Sequence, residues 1–168
     1  MILELEKRLQ GSGLSELLRD NIMAKSKNYE YLSHAADIKF RAYGKTMARA
    51  FDNAAYALTD VMTDHTKVKA LKTKKIVVES EDEKALLYDF LEQFLILADS
   101  EGFLLHKVNS LEISGEKKKR KLTLTAEVVG DNKMDKYPVE THIKAITYED
   151  MLVDEEKDGF ILQVIIDI

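Results

Sequence analysis

Residues 28–64 read NYEYLSHAADIKFRAYGKTMARAFDNAAYALTDVMTD, and they contain the strand-to-helix step that decides the fold. Apolar and polar residues alternate over residues 29–32 and 38–43, which is typical of strands with one buried face. Gly44 ends the second strand, and Thr46 is suited to cap a helix. Apolar residues then recur at helical spacing to the end of the stretch. We therefore predict an amphipathic helix that packs on a sheet.

Both kinds of pattern recur in the rest of the chain. Ser80 and Glu83 have the spacing of a capping box, and the helix that they begin extends to about Gly102. Strands outnumber helices and alternate irregularly with them, so we predict an α+β fold, in which two main helices pack on a mostly antiparallel sheet. The further strands are predicted at residues 76–78, 104–114, 121–129, 142–147 and 160–167.

A basic turn, GEKKKR at residues 115–120, connects two predicted strands in a protein whose formal net charge is −5. We interpret this turn as a solvated hairpin tip rather than a phosphate-binding site. The net negative charge also argues against non-specific binding to nucleic acid. We therefore expect any contact with RNA to be made through a partner protein.

The composition of the 168 residues excludes several classes of function. The chain has no cysteine, which excludes thiolate nucleophiles, cysteine-bound metals and disulfides. No apolar run approaches the roughly 20 residues of a membrane helix, so we expect a cytoplasmic protein without membrane contact. Residues 28–168 are predicted to form one domain. Residues 1–27 are predicted to be an N-terminal extension, helical or disordered, since a Gly-Ser-Gly break interrupts their leucine spacing.

Two aspartates lie in apolar surroundings without an evident cationic partner. Asp37 directly precedes a predicted strand, and Asp167 lies within VIIDI at residues 164–168. Burial of a carboxylate costs several kcal/mol unless it is paired, hydrogen-bonded or bound to a metal. If the two strands are neighbours, Asp37, Asp167 and the main-chain carboxylate of Ile168 converge on an all-oxygen site for Ca²⁺, Mg²⁺ or Mn²⁺. The alternative is that Asp37 caps a turn and Asp167 points to solvent.

Two further residues are candidates to join this acidic site. His34 lies three residues before Asp37, and Lys144 occupies a polar position in the predicted strand at residues 142–147. Each also has an ordinary structural interpretation, as a hydrogen-bonded histidine and a solvated strand lysine. No Ser-His-Asp arrangement, glycine-rich phosphate loop or HExxH motif is evident. The sequence therefore supplies no nucleophile.

Several separated blocks of the sequence resemble the archease family, and they occur in the family's order. The family's H-T-A-D motif corresponds to HAAD at residues 34–37, and its K-A-I-T-Y segment corresponds to residues 144–148. The resemblance covers residues 28–168 and implies a strand-helix-strand-strand core with an inserted segment. Ala35 replaces the usual threonine of the motif, which removes one hydroxyl group beside Asp37. Further matches lie at residues 29–33, 41–46, 50–55, 61–64 and 164–168.

The resemblance also implies a function. Archeases are protein cofactors of the GTP-dependent tRNA-splicing ligase, which joins RNA ends that carry a 3′-phosphate or a 2′,3′-cyclic phosphate. They promote guanylylation of a ligase histidine and restore turnover, and they do not perform ligation themselves. By this resemblance, Asp37, Asp167 and the main-chain carboxylate of Ile168 form a metal-binding acidic pocket. Lys144 belongs to the activating surface by the same resemblance.

Two more residues are candidates for contact with the ligase. Asp131 follows Gly130 where the family often has Gly-Glu, and His34 belongs to the HAAD block. In the predicted mechanism, the acidic pocket holds a divalent cation and docks at the nucleotide and manganese site of the ligase. The protein has to favour the ligase state that is competent for guanylylation, since a partner that binds all states equally shifts no equilibrium.

Two alternative functions belong to other classes. The first is a metal-dependent hydrolase, in which Asp37 and Asp167 hold the ion and His34 is the base. The second is a chaperone or adaptor that acts through its surface without a metal. Turnover in the absence of any ligase distinguishes the hydrolase, and a metal requirement distinguishes the ligase cofactor from the adaptor.

Overall fold

The computed structural model describes residues 28–34 and 36–168. The predicted extension at residues 1–27 lies outside the described residues, and so does Ala35, which stands where the archease motif has threonine. The described chain forms seven strands and two α-helices, and neither helix is long and apolar enough to cross a membrane. Their bounds, in chain order, are β1 Tyr29–Leu32, β2 Ile38–Gly44, α1 Met47–Met62, β3 Lys72–Ser80, α2 Glu83–Glu101, β4 Leu104–Glu116, β5 Lys121–Asp131, β6 Ala145–Glu156 and β7 Gly159–Asp167.

The strands form two antiparallel sheets. The larger sheet has four strands in the order β1-β2-β7-β6, and the smaller has three in the order β3-β5-β4. The predicted α+β fold is therefore confirmed, with its antiparallel strands divided between two sheets. In the larger sheet, Ile38 of β2 lies opposite Ile166 of β7, and Gly44 lies opposite Phe160. This register places the start of β2 beside the end of β7.

Helix α1 begins directly after β2 because the local sequence supplies both a glycine and a cap. A Cβ atom at Gly44 would lie 2.3 Å from the main-chain nitrogen of Ala50, so this close passage requires glycine. The Thr46 hydroxyl accepts a hydrogen bond from the Arg49 N–H at 3.1 Å and caps the helix, as predicted. Helix α1 then packs on β2 and β7.

One hydrophobic core joins the two helices to both sheets. Phe51 of α1 and Phe90 of α2 are fully buried, and their ring centroids lie 6.1 Å apart. Phe40 of β2 and Leu124 of β5 are buried in the same cluster. Full burial of a side chain of this size stabilises the folded state by roughly 1.5–3 kcal/mol. The core therefore fixes the strand ends at which the candidate site lies.

The cap of α2 differs from the prediction. The Asp82 carboxylate accepts a hydrogen bond from the Ala85 N–H at 2.9 Å and caps the helix. Ser80 is the last residue of β3, and its hydroxyl donates a hydrogen bond to the Asp89 carboxylate. The capping box predicted from Ser80 and Glu83 is therefore wrong, because pairing between β3 and β5 keeps Ser80 in the strand.

Strand β6 also differs from its prediction, at both ends. The pattern predicts a strand at residues 142–147, whereas β6 begins at Ala145 and continues to Glu156. The register between β6 and β7 is interrupted after Thr147 and resumes at Leu152. This interruption breaks the alternation of apolar and polar residues, so the second half of the strand carries no continuous sequence signal.

The basic turn between β4 and β5 is exposed and ion-paired. Lys119 Nζ lies 2.7 Å from Glu116 Oε1, and the side chains of both residues are mostly exposed. Exposed ion pairs of this kind contribute little to stability. The structure therefore agrees with the interpretation of this turn as a solvated hairpin tip. The other ion pairs of the turn join Lys117 to Glu83 and Arg120 to Glu81, and Lys121, the first residue of β5, pairs with Glu79.

Candidate functional site

The adjacent ends of β2 and β7 carry the residues predicted to bind a metal. Asp37 directly precedes β2, and Asp167 is the last residue of β7. Since Ile38 and Ile166 lie opposite each other, the two aspartates follow at the same end of the sheet. Ile166 is fully buried, whereas Asp37, Asp167 and Ile168 are half-buried. We call the group of Asp37, Asp167 and Ile168 the acidic tip.

Lys144 is tied to the acidic tip through both its main chain and its side chain. Its N–H donates a hydrogen bond to the Asp167 carbonyl at 2.8 Å. Its ammonium group donates to the main-chain oxygen of Ile168 at 2.9 Å. The next residue, Ala145, begins β6 and lies opposite Asp167. Lys144 therefore precedes β6 instead of lying in the predicted strand, and its exposed ammonium group lies beside the acidic tip.

His34 lies beside the other aspartate of the tip. Its Nδ1 is 3.8 Å from Asp37 Oδ2, a contact that becomes an ion pair only when the imidazole is protonated. This separation is too long for a hydrogen bond. His34 therefore lies beside Asp37 without forming a hydrogen bond to it.

The carboxylates of the acidic tip keep most of their acceptor capacity. Among the residues that the structure describes, the Asp167 carboxylate has no hydrogen bond or ion pair, and Asp37 has only the 3.8 Å contact with His34. A half-buried carboxylate without a partner loses part of its hydration and gains nothing in return. A bound cation would correct this imbalance.

Asp131 occupies a different environment from the acidic tip. It ends β5, a strand of the smaller sheet, and only 3% of its surface is exposed. Its carboxylate accepts a hydrogen bond from the Tyr137 hydroxyl at 2.7 Å, and that hydroxyl accepts one from the Lys69 N–H at 3.1 Å. Burial and the Asp131 charge raise the pKa of Tyr137. Asp131 thus holds the segment that follows β5 in place.

A second group of potential metal ligands, missed by the sequence reasoning, lies at the end of α1. Asp60, Asp64 and His65 each offer one donor atom, and these atoms lie within 4.8 Å of one another. We call these three residues the helix-end cluster. Its signal in the sequence is the i, i+4 spacing of Asp60 and Asp64, which is typical of one helix face, followed directly by His65, although α1 ends before Asp64. In the described part of the chain it is the only such group of three His, Asp or Glu residues.

The acceptor atoms of the helix-end cluster are already occupied. Asp60 Oδ2 accepts a hydrogen bond from the Tyr29 hydroxyl, and Asp60 Oδ1 accepts one from the His65 N–H at 2.8 Å. His65 Nδ1 also lies 2.7 Å from Asp60 Oδ1. The Asp60 carboxylate raises the pKa of Tyr29, whose burial is the larger cause. A metal ion at Asp60 would compete with these partners for the carboxylate oxygens.

Asp64 is similarly engaged within its own turn. Its Oδ1 accepts hydrogen bonds from the Thr66 N–H at 3.0 Å and the Thr66 hydroxyl at 2.6 Å. Lys67 Nζ lies 3.4 Å from Asp64 Oδ2. Burial opposes ionisation of Asp64, but the bonds from Thr66 and Lys67 outweigh it and lower the pKa of the carboxyl group. Donors within the described chain therefore engage the carboxylate oxygens of the helix-end cluster.

The chemistry of the acidic tip fits a hard divalent cation. Its carboxylates offer only oxygen atoms, which Ca²⁺, Mg²⁺ and Mn²⁺ prefer. The vacant acceptor sites of Asp167 are available for coordination without loss of a bond within the described chain. The Lys144 ammonium group donates to the main-chain oxygen of Ile168, so a cation bound to this oxygen would share it with lysine.

Comparison with known proteins identifies the family of this chain. Residues 29–168 match the profile of the archease protein family. An archease of Methanosarcina barkeri is 36% identical over 149 residues, which cover 86% of this chain and 99% of that relative. An archease of Thermococcus gammatolerans is 38% identical over 134 residues, covering 79% of this chain and 92% of the relative.

A solved structure supports the same assignment. The solution structure of protein 1598 from Methanobacterium thermoautotrophicum has a TM-score of 0.71 to this structure and 30% sequence identity. The match covers 84% of this chain and 99% of that protein. The sequence profile, the relatives and the shared fold together show that this chain belongs to the archease family.

Proposed function

We propose that this protein activates a GTP-dependent tRNA-splicing ligase through a divalent cation bound at the acidic tip. The observation that carries this proposal is the Asp167 carboxylate, which lies half-buried beside Asp37 without a partner in the described chain. Membership of the archease family supports the choice of partner. In this proposal the protein is a cofactor of an enzyme and performs no ligation itself.

Asp37, Asp167 and the main-chain carboxylate of Ile168 are the proposed ligands of the cation. The cation supplies positive charge that a nucleotide phosphate can share when the tip docks at the ligase. The tip is borne by β2 and β7, whose register is fixed by buried residues such as Ile166. A rigid sheet therefore positions these carboxylates and limits the entropy lost on binding.

Lys144 and His34 are the proposed contacts with the ligase around the cation. Lys144 is exposed and already oriented by its bond to the Ile168 oxygen, so its charge is held beside the tip. His34 lies next to Asp37 at the same end of the sheet. Asp131 is buried and bonded to Tyr137, so we assign it a supporting role within the fold. Residues 28–168 are the proposed functional domain.

The activation itself requires a difference in affinity between states of the ligase. A protein that binds the guanylylation-competent state about 100-fold more tightly than the inactive state shifts that equilibrium by about 2.7 kcal/mol. The acidic tip supplies this difference if its charges meet nucleotide and metal only in the competent state. Release after guanylylation then permits one molecule to act on many ligase molecules.

A guanylylation assay tests the proposal. A tRNA-splicing ligase from a related organism is incubated with GTP and Mn²⁺, with substoichiometric wild-type protein, the Asp167→Ala variant, or no addition. We expect wild type to stimulate formation of the ligase–guanylate adduct and Asp167→Ala to lose at least about 10-fold of that stimulation. Asp158→Ala, which removes an exposed aspartate outside the tip, is the matched control and retains full stimulation.

Each other outcome identifies a different function. Stimulation by wild type and Asp167→Ala alike would reject the acidic tip and favour an adaptor that acts through its surface. Hydrolysis of GTP or RNA by the protein alone, lost in Asp167→Ala, would favour the metal-dependent hydrolase. Absence of stimulation with a ligase of verified activity would reject the ligase partner.

A further inference from the structure

The edge strand β6 contains a wide irregularity beside helix α2. Thr147 lies opposite Ile165 of β7, and Leu152 lies opposite Gln163. Residues 148–151 therefore stand opposite Val164 alone, and the strand bulges away from its partner. Bulges of this kind redirect side chains and are frequent beside functional sites. We call residues 148–151 the β6 bulge.

The β6 bulge is held by specific bonds. Asp150 has a φ angle of 48°, a left-handed conformation that is uncommon and costly for a residue other than glycine. Gln163 Nε2 donates a hydrogen bond to the Asp150 carbonyl at 2.9 Å, and Lys39 Nζ donates to Asp150 Oδ2 at 3.1 Å. Gln163 is buried, and its Oε1 accepts a bond from Arg41 Nε at 2.9 Å. Hydrogen bonds from β2 and β7 therefore fix the conformation of the bulge.

The bulge presents a stacked pair of tyrosines. Tyr148 lies parallel to Tyr88 of α2, with ring centroids 4.5 Å apart and an angle of 3° between the ring planes. Tyr148 is nevertheless 55% exposed, which makes it one of the most exposed large apolar side chains in the described chain. A fully packed aromatic residue would bury most of its surface. The fold therefore orders an aromatic ring and leaves much of it in contact with water.

Carboxylates surround the stacked pair. Asp82, Asp89 and Glu92 lie close enough to Tyr148 for their charges to raise its pKa, in addition to the larger effect of burial. Glu149 and Asp150 of the bulge are exposed next to it. Among these five acids, the described chain forms a single ion pair, between Lys39 and Asp150. The surface around the rings is therefore strongly negative.

This combination selects one kind of ligand. The face of an aromatic ring attracts cations, and a planar guanidinium group also stacks on it. Carboxylates around the ring then accept the guanidinium N–H groups, often in pairs. Phosphates of nucleic acid would be repelled by the same carboxylates. We propose that Tyr88, Tyr148 and the surrounding acids form a docking surface for an arginine-bearing segment of a partner protein.

The docking surface does not depend on the cation proposed for the acidic tip. Strand β6 begins beside the tip at Ala145, and the bulge follows Thr147 on the same strand. A partner that contacts both the acidic tip and the docking surface would be held at two points, and its orientation would therefore be fixed. The docking surface adds affinity and orientation, whereas the tip supplies the activating charge. Each can be removed without changing residues of the other.

A peptide titration tests the docking surface. N-acetyl tetra-arginine amide is added to the full-length wild-type protein, and the tyrosine ring resonances are followed by NMR at low salt. We expect the Tyr88 and Tyr148 signals to shift, and the affinity to fall about fivefold in Tyr148→Ala, whose folding is checked by its thermal transition. The matching lysine peptide is expected to bind several-fold more weakly than the arginine peptide.

A charge variant and a control variant complete the test. Glu92→Gln together with Glu149→Gln keeps the shape of the surface and is expected to weaken arginine binding. Val77→Ala removes a 54% exposed apolar residue on β3 and is expected to leave binding unchanged. Equal affinity of Tyr148→Ala and wild type would overturn the proposal. Equal affinity for the arginine and lysine peptides would also overturn it, because that result indicates general attraction to an acidic protein.

Discussion

The acidic tip and the helix-end cluster contain similar residues, but they differ in the hydrogen-bond donors around their carboxylates. In the helix-end cluster, Asp60 is bonded to Tyr29 and His65, so local donors have used its acceptor atoms. In the acidic tip, Asp167 has no such donor within the described chain. Proximity of ligand atoms alone favours the helix-end cluster as a metal site. The count of unused lone pairs favours the acidic tip.

The two groups of acids differ in their hydrogen-bond partners, and the spacing of their ligand atoms alone does not reveal this difference. A carboxylate bonded to several donors is stabilised in its charged form and contributes to folding. A half-buried carboxylate without donors is a cost to folding that a ligand can offset. This difference leads to opposite expectations for substitutions at the two sites.

The largest expected effect is loss of cation binding when both side chains of the acidic tip are neutralised. In Asp37→Asn combined with Asp167→Asn, we expect affinity for Mn²⁺ or Ca²⁺ to fall at least about 100-fold, because a hard cation loses two charged ligands. We also expect saturating cation to raise the melting temperature of the wild type and to leave that of the double variant unchanged. Calorimetric titration and thermal unfolding measure these changes, with Asp158→Asn as control.

Removal of Asp60 is expected to affect stability and not cation binding. Asp60→Ala removes the carboxylate that accepts hydrogen bonds from the Tyr29 hydroxyl and from His65, which costs about 2 kcal/mol of unfolding free energy. Urea unfolding gives this value, and the response to Mn²⁺ should match wild type. A large loss of cation affinity with unchanged stability would reverse the roles assigned to the two sites.

Lys144 should have opposite effects on the two functions proposed for the tip. Lys144→Gln removes a positive charge from the neighbourhood of the cation, so cation affinity should rise about threefold. Stimulation of the ligase should fall because a contact with the partner is lost. Calorimetry and the guanylylation assay measure the two quantities, and Lys45→Gln, at another exposed lysine, controls for net charge. Parallel changes in both quantities would contradict separate roles.

The smallest expected effect is a pH dependence from Asp64. Because its pKa is lowered in the folded protein, its contribution to stability is present above the unfolded pKa of about 3.9 and is lost as the pH falls through the lower folded value. Asp64→Asn should therefore melt about 1 °C below wild type at pH 6, since this side chain is partly exposed. The difference should vanish near pH 2, as followed by circular dichroism. A constant difference would assign the effect to uncharged hydrogen bonds.

Local sequence signals predicted most of the fold. Gly44 and Thr46 mark the step from β2 to α1 because a close passage and a helix cap each require a particular residue type. Asp37 and Asp167 could also be singled out as candidates, since each adjoins an apolar strand and a carboxylate in that position needs a partner, whereas the pairing of their strands could not be predicted locally. These inferences depend on short-range chemistry that a sequence displays directly.

The remaining features depend on contacts between distant residues. The occupied state of Asp60 depends on Tyr29, which belongs to another element and has no recognisable spacing from it. The continuation of β6 beyond Thr147 was missed because the bulge changes the phase of the alternation. The stacking of Tyr148 on Tyr88 depends on that bulge and on the position of α2. No local pattern contains this information.

The β6 bulge also affects how the protein behaves at high concentration. Strand β6 is an outer strand of the four-stranded sheet, and a regular outer strand offers its free N–H and carbonyl groups to another copy of the chain. The bulge interrupts that row of groups, and exposed acids at residues 154–156 add repulsion between copies. Straightening the strand would therefore favour edge-to-edge aggregation. The bulge that exposes Tyr148 therefore also hinders pairing of this sheet with the sheet of another molecule.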